Sequence, residues 1–167
     1  MSAFAIGEGF AGSGADAAHV NTMLGAKSGP VGAAWATALA TPTAGHAPFV
    51  VVAAPNVPVK PMTLFVNKST VDRVNERHGR LTWGAAQAGV AAGVIAAHRK
   101  GVLLADEADD LVLVAAVWVN PAADDEEAVY ENNTQATLAA LSAGRDDLPS
   151  LRAVLDVREP QNPYFRA

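Results

Sequence analysis

His19 and Asn21 interrupt an apolar run as Ala18-His19-Val20-Asn21, and Lys68 and Thr70 end another as Asn67-Lys68-Ser69-Thr70. Alternate side chains of an extended segment share a face, so each pair presents two polar groups side by side. An imidazole beside an amide, with an ammonium and a hydroxyl elsewhere, suits proton transfer to a small polar substrate, because histidine changes charge near neutral pH. Each residue also has a plainer reading. His19 can be a hydrogen-bonded structural histidine, Lys68 a solvated lysine at a strand end, and Gln87 an exposed helical position.

Other motifs carry less. Gly7-Glu8-Gly9-Phe10-Ala11-Gly12 spells the dinucleotide pattern GxGxxG after a strand, but Ser13-Gly14-Ala15 leads into another strand and no carboxylate stands about 20 positions on. It reads as a turn. His19, His46, His78 and His98 lack metal-ligand spacing, and Asp106, Glu107, Asp109 and Asp110 lack a calcium-loop pattern, so no metal is expected. The chain has no cysteine, which excludes disulfides and thiolate chemistry. It has no GxSxG elbow and no P-loop, and so offers hydrolase and NTPase readings no foothold.

The elements that must position these residues follow from periodicity and turn chemistry. Phe4-Ala5-Ile6 reads as a strand entering a glycine-rich turn from Gly7 to Gly14, and Ala18 to Leu24 as the next strand of a hairpin. Pro30 suits a first helical position, and Val31, Ala34, Trp35, Ala38 and Leu39 recur at helical spacing before Pro42. Phe49 to Ala54 and Thr63 to Asn67 read as strands joined by an extended, proline-held connection. Gly84 to Lys100 reads as a helix whose Gly89 and Gly93 let a sheet approach, and Ala105 to Ala108 as a helical turn or cap before a strand from Leu111 to Val119. Asp124 to Ala143 reads as a second long helix, acidic in its first turn and ended by Gly144. The tail from Pro149 stays open. Alternating strands and helices without a strict repeat predict a two-layer α/β or α+β sandwich.

At 167 residues and half apolar, the chain suits one compact domain spanning 1–167. Its net charge of -5, with 12 scattered basic residues, argues against nucleic acid as a partner. The longest apolar run, Leu111 to Val119, is far short of a membrane span, and the N-terminus lacks a basic region followed by an apolar stretch. A cytoplasmic location is the expectation, and the glycosylation sequons at Asn67 and Asn132 then have no consequence. Abundant Ala, Gly and Val with few aromatics let layers approach closely but bury modest area per residue, which favours oligomerisation.

Taken in order along the chain, Gly12-Ser13-Gly14-Ala15-Asp16-Ala17-Ala18-His19-Val20-Asn21, Gly29-Pro30-Val31-Gly32-Ala33-Ala34, Ala54-Pro55-Asn56-Val57-Pro58-Val59-Lys60-Pro61, Asn67-Lys68-Ser69-Thr70, Gly84-Ala85-Ala86-Gln87 and Ala105-Asp106-Glu107-Ala108-Asp109-Asp110-Leu111 resemble the formaldehyde-activating enzyme family of one-carbon metabolism. The resemblance covers nearly the whole chain and is weakest at the extreme C-terminus. It implies a fold like the second domain of ribosomal protein S5, assembled as a homopentamer with active sites between subunits. It also implies a lyase that condenses formaldehyde with tetrahydromethanopterin to 5,10-methylene-tetrahydromethanopterin and water, with a role in formaldehyde detoxification. By position His19 matches the family's catalytic histidine. Val50 matches a leucine lining the pterin site, and Lys68, Thr70 and Gln87 match pterin-site residues of the same types.

Asn21 departs from the family, which places an aspartate there. An aspartate near a histidine favours the imidazolium, whereas asparagine hydrogen-bonds without supplying charge. The departure fits a different pterin or C1 acceptor, or a paralogue that binds a pterin or C1 adduct as a sensor or carrier without catalysis. Val50 is a conservative change, and extra residues around Arg80-Leu81-Thr82, before Gln87, alter the pocket edge.

Overall fold

A computed structural model describes residues 4–43, 45–68 and 75–162, with the side chains of His46 and Lys68 left aside. Its centre is a five-stranded sheet formed by β1 (Phe4–Ala11), β2 (Ala18–Ala26), β3 (His46–Val50), β6 (Met62–Lys68) and β7 (Leu111–Trp118), in the spatial order β1-β2-β7-β6-β3. β6 and β7 run parallel, and the other neighbours are antiparallel. Short strands β4 (Val52–Ala54) and β5 (Val57–Pro58) pair separately.

Strand alternation decides the two faces. Val20, Leu24, Phe65, Leu113, Ala115 and Val117 point to one side, where α3 (Gln87–Arg99) and α4 (Glu126–Arg145) supply Val90, Val94, Val129, Ala136 and Leu141. Each large side chain buried there, such as fully covered Phe65 or Leu113, contributes about 1.5–3 kcal/mol relative to exposure. On the other side α1 (Pro30–Ala40) covers one end of the sheet, setting Val31 and Trp35 against Met23, Met62, Val66, Val112 and Val114. Trp35 Nε1 donates to Met62 O at 3.1 Å, which orients the indole. The architecture is mixed, of the α+β type, with α1 forming a partial third layer. Among the described residues no helix is long and apolar enough to cross a membrane.

Several sequence expectations are corrected by packing. β1 does not turn at Gly7 but continues to Ala11, because Gly7 and Gly9 lie under the backbone of α4. A Cβ on them would sit 1.8 Å from Ala140 O and 2.1 Å from Ala136 O respectively. The tight turn comes later, at Gly12 and Gly14, both with positive φ. Gly89 and Gly93 likewise admit α4 rather than a sheet, meeting Tyr130 O, Asn133 and Thr137. The run from Phe49 to Ala54 breaks at Val51, whose amide bonds Thr63 O while its carbonyl accepts from Val59, so that β3 and β4 join different sheets.

The helix expected from Gly84 starts earlier. α2 (Glu76–Arg80) is capped by Asn75, whose side chain accepts from His78 N, and a π-helical segment, Leu81–Ala86, joins it to α3. α4 begins at Glu126 rather than Asp124, with Asp125 as its N-cap accepting from Ala128 N, and runs past Gly144 to Arg145. The turn expected at Ala105 to Ala108 is present as hydrogen-bonded turns before β7, not as a helix. The open tail contains a short helix, α5 (Leu151–Leu155).

Candidate active site

The sheet register places the candidate residues in rows. Phe10, His19 and Trp118 stand opposite one another across β1, β2 and β7, and Glu8, Asn21 and Ala116 form the next row. Both rows lie on the α1 side of the sheet but at the end α1 leaves open. Asn21 and Ala116 are exposed, and Ile6 and Trp118 are 58% and 38% exposed. His19 and Asn21 thus share an open face, as strand alternation predicts.

The imidazole of His19 is contacted by side chains of β1. Phe10 meets it edge-on with ring centroids 6.4 Å apart, and Trp118 is its register partner on β7. Glu8 Oε1 lies 3.0 Å from His19 Nε2, an ion-pair contact rather than an aligned hydrogen bond. The histidine side chain is 43% exposed, yet Nε2 itself has essentially no accessible surface. A half-open histidine on an otherwise mostly apolar face is suited to delivering a proton to a bound substrate.

Gln87 belongs to a different surface. It is buried at the start of α3, on the helical side of the sheet, and its Nε2 donates to Val52 O at 3.4 Å. Beside it opens a cavity of about 690 Å³, walled by Val52 and Pro55, by Trp83 and Gly84 of the π-helical segment, and by Tyr130 of α4, with Glu126 and Glu127 among its lining. Trp83 is fixed by an edge contact to Phe49 at 4.8 Å, and Phe49 stacks on Phe65 at 5.0 Å. An apolar cavity with one amide at its wall and two aromatic rings suits a flat heterocycle. Arg80-Leu81-Thr82 leads into the π-helical turn that supplies two of its walls.

The remaining candidates are spread out. Val50 pairs with Leu64 at the far edge of the sheet, on the His19 side, and is half-buried. Lys68 closes β6 one position beyond the Asn67 to Val117 pair, so its backbone lies level with Trp118. Thr70 lies outside the described residues. One chain therefore brings His19 and Asn21 together and sets Gln87 on the opposite side of the sheet. Sequence reasoning missed Glu8, Trp83 and Tyr130. Glu8 carries a signal, being the one charged residue in an apolar and glycine strand, but its flanking glycines make it look like part of a turn.

The profile of the family described as formaldehyde-activating enzyme matches residues 6–165. A 5,6,7,8-tetrahydromethanopterin hydro-lyase of Methanosarcina barkeri is 36% identical over 160 residues, covering 96% of this chain and 89% of the relative. A bifunctional enzyme Fae/Hps of Methanosarcina mazei is 39% identical over 153 residues. Its counterpart from Archaeoglobus fulgidus is 38% identical over 152. The chain spans 38% of the length of these bifunctional relatives. With a match that runs almost from end to end, the chain belongs to the formaldehyde-activating enzyme family.

Proposed function

We propose that this protein is a carbon–oxygen lyase that condenses formaldehyde with tetrahydromethanopterin, giving 5,10-methylene-tetrahydromethanopterin and water. The observation that carries this reading is His19, half-open on a bare sheet face in a chain of this family. A pterin amine adds to formaldehyde to form a carbinolamine. Its hydroxyl leaves as water once protonated, and the second amine closes the ring on the resulting iminium. Protonated His19 supplies that proton as general acid. Asn21, Val50, Lys68, Thr70 and Gln87 hold the pterin, so that ring closure occurs within one complex.

The assembly that fits is a homopentamer of S5-domain-like subunits with sites between neighbours. Two features support it. A face bearing exposed Ile6 and Trp118 beside His19 is suited to cover by a second chain, and Gln87 can join His19 in one site only if it comes from another copy. The single domain acts in the cytoplasm, in one-carbon metabolism and formaldehyde detoxification.

The test is the initial rate of methylene-tetrahydromethanopterin formation with wild type, His19→Ala and no protein. A wild-type rate above both controls is expected. A rate equal to background overturns the catalytic reading, and pterin affinity without turnover would then assign a binding role.

A further inference from the structure

We infer that Glu8 is the positioning residue of His19, holding Nε2 so that the proton used in catalysis leaves from Nδ1; the catalytic part rests on the function proposed above. Three observations converge. Glu8 Oε1 lies 3.0 Å from Nε2, and Nε2 has essentially no accessible surface although the side chain as a whole is 43% exposed. A substrate arriving from the open side meets the other edge of the ring. The position of Glu8 is also built in, because Gly7 and Gly9 on either side of it are pinned against the α4 backbone at Ala140 and Ala136.

A carboxylate 3.0 Å from Nε2 can only accept, so even without an aligned hydrogen bond its charge favours the neutral tautomer that puts the hydrogen on the facing nitrogen. Nδ1 then bears the lone pair when the ring is neutral and the transferable proton when it is charged. In the proposed step the Nδ1–H bond breaks, the proton passes to the carbinolamine oxygen, and the carbon–oxygen bond breaks to release water. The imidazole is left neutral with its hydrogen on Nε2, still facing Glu8. Asn21, the register partner of Glu8, shares the open face with His19 but carries no charge, so the carboxylate beside the ring comes from the adjacent strand.

The test uses Glu8→Gln, Asn21→Asp and the double variant, in the intact protein. Glu8 is 61% exposed, so Glu8→Gln should fold, as thermal melting will confirm. With the catalytic contribution of a charge-assisted contact removed, kcat should fall about 10- to 100-fold with KM nearly unchanged. Asn21→Asp should restore part of that loss in the double variant by returning a carboxylate to the same row. A Glu8→Gln kcat within about twofold of wild type overturns the inference. Independently of turnover, 15N imidazole shifts should report the Nε2–H tautomer in wild type and a smaller share of it in Glu8→Leu, whose side chain cannot accept a hydrogen bond; an Nδ1–H tautomer in wild type overturns it even if the protein proves only to bind pterin.

Discussion

His19 and Gln87 stand on opposite faces of the five-stranded sheet, the first on β2 and the second in the helix layer near the β3 edge. Strands β2 and β3 are three spacings apart, about 14 Å across the sheet. A single pterin that engages both residues must therefore bridge two chains. Subunit mixing tests this. His19→Ala and Gln87→Ala should each lower kcat/KM severely alone, while co-assembled chains should recover about a quarter of wild-type activity, the fraction of sites that combine the two intact residues. No recovery on mixing would place the functional site within one chain.

Glycine substitutions separate close packing from helix propensity. Gly9→Ala places a methyl 2.1 Å from Ala136 O, against backbone that cannot rotate away. It should destabilise by about 1–3 kcal/mol and lower Tm by several degrees. Gly84→Ala meets nothing within 4 Å and lies in a helical segment. It should raise stability by about 0.5–1 kcal/mol. Denaturant unfolding of both variants checks the opposite signs.

These glycines also show where sequence stops being legible. The alternation of Ala18, Val20 and Leu24 with His19 and Asn21 fixes which side chains share a face, and Pro30 and the acidic start of α4 mark their helices. None of that requires knowing the partner of an element. Gly7 and Gly9 look like turn residues because their reason for being glycine, the α4 backbone, is more than 120 residues away in sequence. The break at Val51 is similarly set by Thr63 and Val59, and the Glu8 to His19 contact depends on hairpin register. The His19 and Asn21 pairing was readable locally, whereas the cavity walls Trp83 and Tyr130 meet only through tertiary packing.

Asp109 gives a pH test remote from the proposed chemistry. It precedes β7 at the end away from Trp118, and its carboxyl is held below the usual carboxylate range, first by the hydrogen bond from Lys60 Nζ at 2.5 Å, then by that ammonium's charge, with Lys27 adding attraction. A depressed carboxyl stabilises the fold above its unfolded value, near 3.9, and loses that contribution as pH falls through the lower folded value. Wild type should therefore exceed Asp109→Asn in stability at neutral pH, by a small margin weakened by salt, and the gap should close in strong acid. Thermal melts across pH check this; a gap independent of pH would contradict it. Activity of Asp109→Asn should equal wild type.

Gln87 distinguishes holding a pterin from transforming it. Its amide is buried at the wall of a cavity bounded largely by apolar and aromatic groups, where it donates to Val52 O at 3.4 Å. Gln87→Leu keeps nearly the same volume and removes both hydrogen-bonding functions. If the residue contributes equally to ground-state and transition-state binding, KM for the pterin should rise about tenfold while kcat holds. His19→Ala should do the reverse, lowering kcat with little effect on KM, because a general acid acts only once the carbinolamine has formed. Steady-state rates over a range of pterin concentrations decide the matter. A fall in kcat alone for Gln87→Leu would move this amide from the binding surface into the reacting assembly.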